Sequence, residues 1–401
     1  MVSMSLGPAY HRLWLATALS NLGDGIRMAA LPLLAAVMSS DPVVVAGVAV
    51  AGQSPWLIFG LFAGAVVDRY DQRRLTVLVD AARVLLLGLL VVALSFGVAS
   101  IFLVYAVAFA CGVGETLRDT ATATLLPPLV SDADLDRANG GLVNAEVAGN
   151  ELVGPPLGGY LFGVAMVLPF AVNGSALALV AALIFSLPNV FAKKAVSPAR
   201  RSRIWADTRA GLRWLAHHRR ARALVVLGGL FALMDSVWFP IFVLYVDKVL
   251  GLPAWAYGGL LGVGAVGGLV GGYLAARITR LIGSTATLTS CLMCAAAGQL
   301  MLGLSTSVPV VVVGLAATSG AFGVWAVAAR TLRQRLTPPE LLGRISSVSM
   351  TVVMGAAPLG ALAGGFIAAA WGLTAPILVG APVLAAGALA CYLTFRERDE
   401  T

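Results

Sequence analysis

Apolar residues run along this chain in twelve long blocks, each bounded by charged or turn-forming residues and each about long enough to cross a bilayer as a helix. The first six blocks cover residues 12–38, 42–66, 74–97, 100–126, 138–164 and 167–188. The second six cover 223–249, 254–278, 281–304, 308–334, 345–370 and 374–395. A basic stretch separates the two sets. The pattern predicts an all-α integral membrane protein: an N-terminal six-helix bundle over 1–188, a basic linker over 189–222, and a C-terminal six-helix bundle over 223–401 ending in a short tail.

Composition agrees with the pattern. The 401 residues are 59% hydrophobic and 11% charged, with a mean hydropathy of +0.91, which leaves too little polar surface to coat a soluble globule. A net charge of +8 would by itself suggest a nucleic-acid partner. The placement of the basic residues points elsewhere: 22 of the 27 Lys and Arg fall on one side of the twelve blocks, and Lys248 alone falls in the opposite loops. Excess basic charge marks the cytoplasmic side, so both termini and the linker are expected in the cytoplasm and the chain in the cell (plasma or inner) membrane. The basic residues then meet anionic lipid headgroups rather than nucleic acid. The N-terminal MVSMSLGPAYHR lacks a short apolar core with a cleavage site, so the first block is expected to be a span. In the linker, Ile204, Leu212 and Leu215 with Trp205 and Trp214 form an amphipathic pattern suited to lying along the inner leaflet.

The two halves resemble each other. Asp24 and Asp235 stand 211 residues apart, as do the pairs Pro127-Pro128 and Pro338-Pro339. A shared offset at two distant places argues for duplication of a six-helix unit.

Ionisable groups inside a span cost at least about 2.5–3.5 kcal/mol near its centre, so those present are paired, wet or functional. Asp24 falls near mid-membrane, with Arg27 one turn further on the same face. The two either neutralise each other as a structural pair or make Asp24 a carboxylate whose protonation is coupled to transport. Asp235 has no arginine within a turn, and needs a partner from another helix or must be held neutral. Glu115, Arg118 and Asp119 share a face of the fourth block; Glu146 and Glu151 lie in the fifth. The proton-coupling candidates are therefore Asp24, Arg27, Glu115, Arg118, Glu151 and Asp235. Asp80 and Arg83, near the inner end of the third block, read as braces between helix ends. The run Gly154-Pro155-Pro156-Leu157-Gly158-Gly159 combines close-packing glycines with prolines that remove donors, and reads as a pivot or a packing surface.

Other chemistries lack their residues. No G-x-x-x-x-G-K-[ST] loop is present, and the pair His217-His218 sits in the basic linker with no triad partners. Cys111, Cys291, Cys294 and Cys391 lie in apolar blocks, where small packing residues are expected. The chain is expected to be no enzyme, to use no cofactor or metal, and to work as a monomer.

The spacing Gly64, Asp68, Arg69, Arg73 resembles the helix 2 to helix 3 signature of the major facilitator superfamily. Together with Asp80 and Arg83, NLGDGI in the first block, LLPPLV followed by ANG after the fourth, and GPPLGG in the fifth, it is similar to the drug:proton antiporter branch that includes macrolide efflux pumps and the catecholate-siderophore exporter. That resemblance implies two six-helix bundles, alternating access around a central cavity, and export of a bulky amphipathic small molecule driven by the proton gradient. The alternatives are a siderophore or self-made metabolite exporter, or a nutrient importer of the same fold. It also implies gating roles for Gly64, Asp68, Arg69, Arg73, Asp80, Arg83, Gly154, Pro155, Gly158 and Gly159. Three positions depart from the pattern: Asp71 stands where the loop signature usually has glycine, Asn150 where a small residue usually opens the helix 5 signature, and Ala108 where an arginine often precedes the helix 4 turn. Arg118 or Arg27 is left to fill that arginine's place.

Overall fold

The computed structural model describes residues 6–67, 69–188, 213–338 and 341–396, and among these residues all regular structure is helical. In chain order the helices are α1 (Gly7–Met38), α2 (Pro42–Val67), α3 (Gln72–Ser95), α4 (Ile101–Leu125), α5 (Leu135–Val147, continuing as Ala148–Val153 and Gly154–Val164) and α6 (Leu168–Phe185). Then come α7 (Arg219–Trp238, continuing through Tyr245–Val249), α8 (254–282), α9 (284–304), α10 (Val308–Leu336), α11 (Leu342–Trp371) and α12 (Ala375–Phe395). Gly283 separates α8 from α9 because its φ of +79° lies where only glycine is unstrained. Nine windows among the described residues are long and apolar enough to span a bilayer, and one of them covers both α8 and α9.

Local chemistry explains the helix ends. The Asp71 carboxylate accepts from the Arg74 backbone N–H at 2.9 Å and so caps the start of α3. This gives the departure from glycine at that position a structural reason. Ser100 caps α4 in the same way, accepting from Leu103 N–H at 3.3 Å. In α5 the prolines act one turn upstream. Pro155 and Pro156 have no N–H for the carbonyls of Glu151 and Leu152, and the preceding turn, Ala148–Val153, widens into a π-helix.

Two compact units emerge. Unit 1 comprises Met1–Ser39, Ala51–Val196 and Pro253–Gly262; unit 2 comprises Ser40–Val50, Ser197–Leu252 and Val263–Thr401. The opening turns of α2 thus group with the second half of the chain, and those of α8 with the first. Within unit 1, Leu13, Leu125, Leu126, Val180 and Ile184 form a buried cluster that joins α1, α4 and α6. Within unit 2 a larger one joins Phe231, Leu292, Trp325 and Leu384 of α7, α9, α10 and α12. Of the linker, residues 189–212 lie outside the described residues, Ile204, Trp205 and Leu212 among them. Trp214 and Leu215 pack against Ala221 and Val225 of α7 and Ile345 and Val348 of α11.

The helices repeat. α1, α2 and α3 begin 212 residues before α7, α8 and α9, while α5 and α6 begin 207 before α11 and α12. α4 and α10 end 211 apart, and at that offset Gly112, Val113, Thr120 and Leu125 meet identical residues at Gly323, Val324, Thr331 and Leu336.

Candidate functional site: a buried charge network in unit 1

Asp24 stands just past the middle of α1, on a stripe with Thr17, Ser20 and Asn21, all buried. Its exposure is 4%, so its carboxylate must find partners in the protein. Arg27, one turn on, reaches Asp24 Oδ1 at 3.3 Å through Nη2. The same nitrogen donates to Glu115 Oε2 of α4 at 2.6 Å. Arg83 of α3, 1% exposed, also donates through Nη2 to Asp24 Oδ1, and its Nη1 lies 3.8 Å from Asp80 Oδ1. Arg118 of α4 completes the set: its Nε lies 3.4 Å from the Asp80 carboxylate, and its Nη2 donates to the Ala16 carbonyl of α1 at 3.2 Å. Ser20 Oγ donates to Asp24 Oδ2 at 3.4 Å.

Three acids thus meet three arginines on three helices, and the formal charge of the network is zero. Balance of this kind is what a low-dielectric interior tolerates, because any one member left alone carries a desolvation cost of several kcal/mol. Glu115 is the most accessible member, its side chain 23% exposed, while the Asp80 and Arg83 side chains are at 0% and 1%. The sequence pairs Asp24 with Arg27 by spacing, and the structure keeps that pair but adds Arg83, whose contact with Asp24 spans 59 positions. Asp80 and Arg83 do more than brace helix ends, since Arg83 joins Asp24 to Asp80.

A second feature lies against the first. Where α1 passes the π-helical turn of α5 the two backbones touch: a Cβ on Gly25 would lie 2.6 Å from the Gly149 carbonyl oxygen and 2.8 Å from that of Asn150. A Cβ on Gly154 would lie 2.6 Å from the Gly25 Cα, and one on Gly158 2.4 Å from the Ile26 carbonyl oxygen. Gly159 faces Gly258 of the opening turns of α8, also within unit 1, at 2.9 Å by the same measure. Pro155 is buried in this seam. The glycines therefore serve close approach, and they do so at Gly25 and Ile26, the two residues between Asp24 and Arg27.

The remaining candidates lie elsewhere. Glu151 is exposed on the π-helical turn and forms no ion pair among the described residues. Asp235 lies on α7 in unit 2, likewise without an ion pair among them. Asp119 and Glu146 are exposed. Asp68 lies outside the described residues, and Gly64 is described only as part of α2. Arg69 is exposed in the turn before α3. Arg73 donates to the Phe185 carbonyl at the end of α6 and lies 5.1 Å from the Phe185 ring centroid. Sequence reasoning did not single out Asn173 of α6. It is fully buried, neither of its side-chain polar atoms has a hydrogen-bond partner among the described residues, and a Cβ on Gly23 would lie 2.3 Å from its Oδ1. A lone asparagine in an apolar block was the available signal. Among the described residues no group of three or more His, Cys, Asp or Glu side chains is placed to hold a metal ion.

Known proteins resemble this chain over its whole length. Residues 6–400 match the major facilitator family described as transmembrane secretion effector. The multidrug efflux pump Tap of Mycolicibacterium fortuitum is 28% identical, with 100% of this chain and 99% of Tap covered. An MFS-type transporter, y4rN, of Sinorhizobium fredii is 29% identical over 91% of this chain and 90% of its own. Among solved structures, the nucleoside transporter NupG superposes with a TM-score of 0.78 at 10% identity, covering 98% of this chain and all of that one. A bacterial homologue of the iron transporter ferroportin gives 0.76 at 17%, covering 98% and 99%. With twelve helices in two repeats among its described residues and a match that leaves out only a few terminal residues, the chain belongs to the transmembrane secretion effector family of the major facilitator superfamily and is a multi-pass membrane transporter.

Proposed function

We propose that the protein is a proton-coupled exporter of a bulky, amphipathic small molecule, working by alternating access in the cell membrane with both termini in the cytoplasm. Full-length similarity to multidrug efflux pumps supports the direction of transport and the substrate class. The Lys and Arg asymmetry supports the orientation. The proton gradient supplies the energy, and no cofactor takes part.

The observation that carries the coupling is that one oxygen of Asp24 is shared by Arg27 and Arg83. A proton on Asp24 removes the charge that both guanidiniums face. Arg27 then keeps Glu115 on α4, and Arg83 keeps Asp80 on its own helix, so the electrostatic tie from α1 to α3 is lost while that from α1 to α4 stays. A ligand that binds differently to two arrangements shifts their populations, and the proton is that ligand here. The Gly25 seam lies next to this switch, where small changes in α1 are passed directly to the α5 backbone. Replacing Asp24 with Asn is expected to abolish drug-stimulated proton movement in inverted vesicles while the protein stays folded in the membrane. Unaltered proton movement in that variant would refute the assignment.

A further inference from the structure

A cleft in unit 2 has a chemistry that the transport mechanism does not use. α8 and α10 run in backbone contact through glycines: a Cβ on Gly267 would lie 2.7 Å from the Ala316 carbonyl oxygen, and one on Gly323 2.1 Å from that of Gly268. Beyond this seam, toward the end of each helix that carries arginine, a cavity of about 460 Å³ opens between them. That volume is within the range of about 300–1,000 Å³ usual for small-molecule sites.

Its lining is graded. The walls are Ala275 and Ala276 of α8 with Val327, Ala328 and Leu332 of α10, apolar but for Thr331, whose hydroxyl donates to the Val327 carbonyl at 3.0 Å. The outer rim holds Arg280 and Arg335 with the hydroxyl residues Thr279 and Ser284. Arg280 Nε donates to the Ala276 carbonyl at 3.3 Å, and Thr279 Oγ1 has no hydrogen-bond partner among the described residues. No carboxylate lines the cavity, and neither arginine forms an ion pair among the described residues. Two guanidiniums at the rim of an apolar trough, at the side of the membrane where the basic residues collect, complement one kind of molecule: an anion carrying a long hydrocarbon chain. Unit 1 repeats only half of this rim: 211 positions before Arg280 stands Arg69, but 211 before Arg335 stands Thr124.

We propose that this cleft binds one anionic phospholipid of the bilayer, its phosphate held by Arg280 and Arg335 and its acyl chain laid along Val327 and Leu332. Free phosphate would satisfy the rim and leave the trough empty; a zwitterionic lipid would fill the trough and leave net positive charge at the rim. The proposal needs only that the chain spans a membrane, and it stands or falls apart from the assignment of proton coupling.

The test is a lipid titration of the purified, delipidated full-length protein in detergent, read by native mass spectrometry. Phosphatidylglycerol is expected to bind more tightly than phosphatidylcholine, and glycerol 3-phosphate in excess is expected not to displace it. The double substitution Arg280→Gln with Arg335→Gln should weaken phosphatidylglycerol about 30-fold and leave phosphatidylcholine unchanged. Ala276→Phe, which fills the trough and keeps both charges, should weaken both lipids, and it carries the test should the double variant fail to fold. Equal binding of the two lipids, displacement by glycerol 3-phosphate, or wild-type affinity in either variant would overturn the proposal.

Discussion

At position 118 of α4 stands a buried arginine, paired with Asp80; 211 residues later, in α10, stands Ala329. The same comparison sets Glu115 against Ala326 and Arg27 against Trp238, while the third and ninth helices set Asp80 and Arg83 against a stretch occupied by Cys291, Leu292 and Ala295. Two repeats of one fold have therefore filled the same interior by different means. Unit 1 joins α1, α3 and α4 with a charge-balanced network. Unit 2 joins α7, α9, α10 and α12 with Phe231, Trp325 and Leu384, and Phe231 meets the Phe322 and Trp325 rings edge to face at 5.2 and 5.8 Å. In lipid, helices gain little from the hydrophobic effect on meeting each other, so what holds them is packing and polar contact. Packed apolar side chains have one good arrangement, whereas an ion-pair network has several, selected by where its protons are. This contrast is why the proposed coupling resides in unit 1.

The comparison can be broken or sharpened by substitution. The largest effect is expected from Arg83→Met, which leaves three acids facing two arginines in a dry interior and should lower stability by about 3–5 kcal/mol, read by unfolding of the purified protein in detergent. Adding Asp24→Asn should recover at least half of that loss, because Arg27 keeps Glu115 and Arg118 keeps Asp80. No recovery would mean that the network is held by shape rather than charge. Somewhat smaller is the reverse experiment: Ala329→Arg places a guanidinium in the apolar interior of unit 2 and should cost about 2.5–3.5 kcal/mol, with part returned by Cys291→Asp. The smallest effect tests what the repeats share. A Cβ on Gly364 of α11 would lie 1.7 Å from the Val237 carbonyl oxygen, as one on Gly25 would lie 2.6 Å from that of Gly149. Gly25→Ala and Gly364→Ala should therefore each cost about 1–3 kcal/mol by forcing backbones apart. Of the two, only Gly25→Ala, beside Asp24, is expected to change proton movement as well as stability.

Much of the fold was legible because a bilayer imposes a simple code. α3, expected at 74–97, runs Gln72–Ser95, and α2, expected at 42–66, runs Pro42–Val67. The starts of α1 and α7 came out four or five residues earlier than the apolar blocks, at Gly7 and Arg219, since a helix extends into polar surroundings where apolarity stops marking it. Of the site, the i, i+3 pair Asp24–Arg27 was legible because helix periodicity alone brings the two together. The Arg83–Asp24 pair was not, because it depends on how α3 is rotated against α1. The π-helical turn was hidden in another way: prolines 155 and 156 announce lost hydrogen bonds, but whether a helix kinks, breaks or widens depends on what packs beside it, and here that is Gly25.

Sequence by itself determined that the chain crosses a membrane many times, that its basic residues collect on one side of the predicted blocks, and that costly charges lie within the spans, because burial in hydrocarbon penalises each residue one at a time. Tertiary structure alone decided which of those charges meet, that Glu151 and Asp235 stand outside the network, and that one repeat is held by ion pairs and the other by packed rings. Those outcomes depend on distances between helices, and a distance of a few ångströms separates a neutral network from a set of unpaired charges.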